Sequence, residues 1–227
     1  STVETKVDEG ATLSAGDRIT LQAERDTTFH ADVASVAVAG GLYGASVGVS
    51  VLRNTDESNT LVTLDNAELT AGSGGVAIQA RATSSTSQAR GIATSFAAAV
   101  GAAGAGANAR TDFAPTVTAS VGSLAQIKSV EGDLVVESVL TADARAETWG
   151  AAAGLAAIGG SESFADADGT VTTEAAGELT ARNILVTSTA KTTAVTTARG
   201  LSGGLALGVG GTGAISNASP SVTSRVG

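Results

Sequence analysis

Long stretches of this chain alternate between small and substantial side chains with a period of two. From Ser85 to Ala109 every odd position is Ser, Ala or Gly, while the even positions carry Gln88, Arg90, Ile92, Phe96 and Val100. From Ser188 to Ala218 the even positions are all Ala, Gly, Ser or Thr, set against Lys191, Val195, Arg199, Leu201, Leu205, Leu207 and Val209. Ala142 to Ala156 alternates likewise against Asp143, Arg145, Glu147, Trp149 and Leu155. The N-terminal region keeps the pattern only from Ser35 to Ala39 and changes phase near "GGLYG". Ala alone favours helix, but a two-residue period places alternate side chains on opposite faces of a strand. These segments therefore read as long strands with one face of nearly bare backbone, able to pack closely on another bare sheet.

Shorter strands surround them in a recurring order. "VETKVDEGATLSAGDRITLQA" from Val3, "VTLDNAELTAGSGGVAIQA" from Val62, "VTASVGSLAQIKSVEGDLVVES" from Val117 and "VTTEAAGELTARNILVTS" from Val171 share one layout, and "VTSRVG" from Val222 opens a fifth copy. Their starts lie 59, 55, 54 and 51 residues apart. Ile19, Val76, Leu134 and Ile184 form a second anchor, at spacings of 57, 58 and 50. Each copy predicts a short Val-Thr strand, a polar turn, a second short strand, a Gly or Asp break, a third strand and then the Ala/Gly-rich run. Repeats of this kind bury their faces by stacking on one another. The expected fold is all-β, a parallel β-solenoid in a single domain over 1–227. Its repeats run approximately over 1–59, 60–116, 117–169 and 170–220, with the start of another at 221–227. Stacking would align Val62-Thr63, Val117-Thr118, Val171-Thr172 and Val222-Thr223 as a structural ladder, Val inside and Thr outside. The spacing leaves open whether each repeat forms one wide coil or two.

Segments such as "VTASVGSLAQIKSVEGDLVVES" and "AELTAGSGGVAIQA" resemble the β-strand repeats of giant secreted bacterial surface proteins, the filamentous-haemagglutinin-like adhesins and autotransporter passenger domains. The resemblance implies a right-handed solenoid, export from a bacterial cell and a role as stalk, fibre or adhesin. The repeat here is longer than the best-known haemagglutinin rung, and the Ala/Gly run is the extra portion.

Composition narrows the chemistry. Of 227 residues 29 are Gly, only 3% are aromatic and none is Met or Cys. The small residues call for close backbone approach instead of a bulky core. The absence of Cys excludes disulfides and thiolate metal sites. A net charge of −9 argues against a nucleic-acid partner, which needs a basic footprint. The uncharged runs 33–52, 91–109 and 200–224 are interrupted by Gly, Ser and Thr and do not read as membrane spans. The single His, His30, has only Asp26 and Asp32 near it, and reads as a surface or structural residue. "DADG" at 166–169 lacks the spaced ligands and closing Glu of a calcium loop, and reads as a turn. Asp143, Arg145 and Glu147 share a strand face with charged neighbours in adjacent repeats, which predicts a solvated charged face and no paired acid and base. "GAAGAGA" lacks the Lys-Ser/Thr of a phosphate loop. No catalytic or metal residue and no cofactor is expected.

What remains is surface. Val36, Val38, Leu42, Phe96, Val100, Trp149, Leu155, Leu201, Leu205, Leu207 and Val209 form a midstrand apolar patch. It is either a second core or an exposed stripe; Phe96, Trp149, Leu201, Leu205 and Leu207 are the candidate interaction surface in the second case. The leading expectation is a structural segment of an extracellular bacterial surface fibre, self-associating end to end or laterally, since the chain stops six residues into a new copy. The alternative is an adhesin-type module recognising carbohydrate or a host surface through its loops and Trp149. Ice binding through Thr-rich tracts such as "STAKTTAVTT" ranks below both, and an enzyme last.

Overall fold

The computed structural model describes residues 1–40, 43–84 and 89–227, and every regular element among them is a strand. Leu42 and Gln88 lie outside the described residues. The first five strands are β1 (Thr2–Val7), β2 (Thr12–Ala15), β3 (Arg18–Asp26), β4 (Phe29–Ala39) and β5 (Ala45–Asp56). The same order follows in β6 (Asn59–Leu64), β7 (Glu68–Ala71), β8 (Gly75–Ser84), β9 (Ala89–Ala99) and β10 (Ala102–Phe113). Next come β11 (Thr116–Val121), β12 (Gln126–Ser129) and β13 (Leu134–Ala167). The last are β14 (Thr170–Ala175), β15 (Glu178–Ala181), β16 (Ile184–Asn217) and β17 (Ser221–Val226).

All pairing is parallel and falls into three sheets. The first has the order β1-β6-β11-β14-β17, and the second β2-β7-β12-β15. In the third, β13 and β16 run its full length, while shorter strands pair with their successive segments. β3 and β8 lie along the start, β4 and β9 along the middle, and β5 and β10 along the end. Ile19, Val76, Leu134 and Ile184 share one register position, the alignment that their sequence spacing predicts.

The Val-Thr positions align differently in one place. Val117, Val171 and Val222 stand in register, followed by Thr118, Thr172 and Thr223. Val62 and Thr63 lie two residues further along, opposite Ala119 and Ser120, and Thr60 takes the position beside Val117. The offset has a simple cause. A two-residue slip keeps every side chain on its face, so Val62 is as deeply buried as Val117 and Val171, and matching dipeptides does not detect it.

The three sheets enclose a core of conventional bulk. Val62, Leu64, Leu69, Ile78, Val117, Ile127, Leu134, Val136, Leu140 and Val171 are fully or almost fully buried there. The second sheet contributes one apolar row, Leu69, Ile127 and Leu179, which the exposed Leu13 extends at the edge. Hydroxyls tie the first sheet to the third. Ser138 donates to the carbonyl of Thr172 at 2.8 Å, and Ser188, its register partner, donates to that of Thr223 at 2.6 Å.

The Ala/Gly-rich runs do something else. The chain leaves the body along β4 and β9 and the middle of β13 and β16, turns sharply, and returns along β5, β10 and the ends of β13 and β16. The outgoing and returning layers face each other and form a thin two-layer blade. Its interior is an Ala cluster of Ala97, Ala99, Ala103, Ala105, Ala152 and Ala157, with Ser hydroxyls bonded to backbone across the layers. Ser46 donates to the Ala98 carbonyl at 2.9 Å, Ser95 to that of Gly48 at 2.6 Å, and Ser202 to that of Ala157 at 2.7 Å. The bare face thus packs on a second bare face, so interlayer backbone proximity and hydrogen bonds take the place of bulky side chains. Phe113, fully buried, stacks on Phe29 with centroids 6.4 Å apart where the blade joins the body.

Candidate interaction surface

With the small residues turned inward, the larger ones of the blade point outward on two opposite sides. On the outgoing side Val36, Phe96, Ala151 and Leu201 form one row across the strands, and Ala34, Thr94, Trp149 and Arg199 the row nearer the body. Val36 is 72% exposed, Trp149 55% and Leu201 63%. Tyr43, Val100, Leu155 and Leu205 stand exposed at the turns of the tip. On the returning side Val47, Gly104, Ile158 and Val209 form one row, and Val49, Gly106, Gly160 and Gly211 the next.

The apolar patch of the sequence is therefore exposed, and it is divided. Phe96, Trp149 and Leu201 share the outgoing face, Leu205 sits at the tip, and Leu207 and Val209 belong to the returning face. A reversal of the chain between Leu201 and Leu207 separates residues that one continuous strand would have kept together. Val47, Val49, Val51 and Ile158, which enlarge the returning face, carry the same alternation in the sequence and were hidden by the change of phase at the tips.

The returning face also holds an open trough of about 560 Å³, lined by Val49, Val51, Gly106, Asn108, Gly160 and Glu162 among others. Its floor is the glycine row. A β-carbon built on Gly106 or Gly211 would meet nothing within 4 Å, and one on Gly160 only the Gly211 carbonyl at 3.7 Å. The inward glycines differ: a β-carbon on Gly48 would lie 2.8 Å from the Phe96 carbonyl oxygen. The interior requires glycine at Gly48, Gly150 and Gly159, where a β-carbon would fall within 3 Å of a backbone oxygen; the trough floor does not.

Within the blade, the paired charges lie toward its base. Arg90 donates to Glu147 at 2.6 Å, Arg145 also pairs with Glu147, and Arg81 donates to Glu137 at 2.9 Å. Partial burial pushes the Glu147 carboxyl up, but the hydrogen bond from Arg90 and the two guanidinium charges outweigh it and hold it below the usual range. On the returning side Arg110 bonds Asp112 at 2.8 Å and Asp166 at 3.2 Å. Asp166 is raised, by burial first and then by its contact with Asp112, with Arg110 opposing.

His30 Nε2 lies 3.1 Å from Asp32 Oδ2 on an exposed edge. In "DADG", Asp168 accepts hydrogen bonds from the Ser219 amide at 2.9 Å and the Ser219 hydroxyl at 3.2 Å, which holds two neighbouring turns together. Among the described residues no group of three His, Cys, Asp or Glu side chains is arranged to hold a metal ion. No helix among them is long and apolar enough to cross a membrane. Thr187, Thr193 and Thr197 lie beside Glu137, Asp143 and Glu147, so the Thr-rich tract borders charged residues. Comparison with protein families, curated proteins and solved structures finds no match to this chain.

Proposed function

We propose that the chain is a structural segment of an extracellular bacterial surface fibre, stalk or filament, built as a right-handed β-solenoid of four repeats of 50–59 residues. The observation that carries this reading is the uniform parallel pairing of equivalent strands through body and blade alike. Among the described residues such pairing gives β1 and β2 one partner each at one side and β15 and β17 one each at the other. Unpaired parallel edges are templates for further strands of the same kind. The open faces of the blade suit a molecule that works by contact.

Removal of residues 116–169 tests the reading, because the register places Thr116 beside Thr170. The shortened chain is expected to unfold cooperatively with an undiminished β signal per residue. Loss of all folded signal would overturn it. A second reading, recognition of carbohydrate, is favoured by the exposed indole of Trp149. Glycan-array binding abolished by Trp149→Ala would support it, and absence of glycan binding would end it.

A further inference from the structure

We propose that copies of this chain associate laterally through the blade, the outgoing face of one copy seating in the glycine trough of the next. The inference deepens the fibre reading and rests on it only for the choice of a second copy as partner.

The first observation is the trough floor. Gly106, Gly160 and Gly211 sit in strand interiors, where glycine weakens a strand relative to Ala. Nothing among the described residues requires them, since a β-carbon at each has room. Glycine in such a place marks the close approach of something from outside.

The second is shape. The opposite face of the same blade offers a ridge of Val36, Phe96 and Leu201, lowered at Ala151 between the last two, running across the strands in the direction of the glycine row. Two sheets packed in alignment keep their strands within about 30° of each other, so ridge and trough can lie along one line. Four strands spaced ~4.8 Å and nine residues rising ~3.3 Å each give a face of roughly 600 Å². Two such faces bury on the order of 1,200 Å², which is at the lower end for a specific interface.

The third is charge. Glu162 borders the trough one row nearer the body than Gly160. Arg199 stands one row nearer the body than Leu201. Neither forms an ion pair among the described residues. When the ridge enters the trough with both blades pointing the same way, the Arg199 row of one copy faces the Glu162 row of the other. Because the two faces lie on opposite sides of the blade, the contact is heterologous and does not close at a dimer.

Sedimentation of the purified chain over a range of concentrations tests this, with circular dichroism of each variant as the control for folding. The mass should grow without a plateau at two copies, and the emission of Trp149, the single Trp, should shift to the blue as it grows. The variant Gly106→Val/Gly211→Val fills the trough at positions with room for a side chain; it should stay folded and associate at least tenfold more weakly. Glu162→Arg should do the same, and the exchanged pair Glu162→Arg/Arg199→Glu should restore growth. A chain still monomeric at millimolar concentration overturns the proposal. So does association unaffected by these variants, a plateau at two copies, or a blue shift seen only with phosphatidylcholine vesicles. Failure to fold after removal of 116–169 would sink the fibre reading and leave this result standing, since lateral contact needs only the intact chain.

Discussion

Gly48 and Phe96 meet across the blade at a separation that leaves no space for a side chain: a β-carbon on Gly48 would lie 2.8 Å from the Phe96 carbonyl oxygen. Gly48→Ala must therefore push apart layers that are joined over their whole length. It is expected to destabilise by about 1–3 kcal/mol, the usual range for overpacking. Gly106→Ala, on the outer face of the adjoining strand, should be neutral or raise stability by up to ~1 kcal/mol. Urea unfolding of the two variants compares them directly, and equal effects would contradict the layered interior.

Bulk matters in the body. Leu69 is fully buried in the row shared with Leu13, Ile127 and Leu179. Leu69→Ala should cost about 2–5 kcal/mol. Leu205, 92% exposed at the tip, should change stability by less than ~0.5 kcal/mol on replacement by Ser. Thermal melts of both variants check the contrast.

The hydroxyl of Thr148 is buried inside the blade without a hydrogen-bond partner among the described residues. Thr148→Val removes that polar group at nearly constant shape, and should raise stability by about 1 kcal/mol. A fall in the urea midpoint would show that the hydroxyl has a partner in solution.

Asp166 supplies a pH dependence. Its carboxyl titrates above the ordinary range, through burial and the neighbouring Asp112, so the folded state binds a proton more readily than the unfolded state. Ionising Asp166 then costs stability as pH rises through its folded value. Asp166→Asn should raise the melting temperature at neutral pH, and the gain should shrink to nothing as pH falls below about 3.9, where the aspartate is protonated in both states. A gain that persists in acid would contradict the assignment.

Much of this architecture was legible because β-strands have a period of two. The faces of residues 90–99, 103–109 and 145–152 follow from parity alone, and so does the close packing of bare backbone. Parity is blind to reversal, however. Between Ala99 and Ala102 the turn adds two residues, so small residues stay odd on both limbs and the run reads as one strand. Near "GGLYG" and at Gly154–Ala156 the inward positions change parity: Ser35 and Ala37 give way to Ser46 and Ser50, and Ala152 gives way to Ala157. Those breaks were the only trace of a fold-back. The two-residue offset of Val62 escaped notice for the same reason. The glycine trough was unreadable because inward and outward glycines look alike until the opposing layer is in place.

The backbone-to-backbone contact inside the blade has a practical consequence. Its thickness is set by main chains, so residues of one parity are fixed while those of the other are almost interchangeable. A library randomised at Ile92, Thr94, Phe96 and Ala98 should yield mostly folded members, whereas one randomised at Ala93, Ser95 and Ala97 should yield almost none. That asymmetry would make the blade a display scaffold, a platform whose outward chemistry can be rewritten without redesigning what supports it.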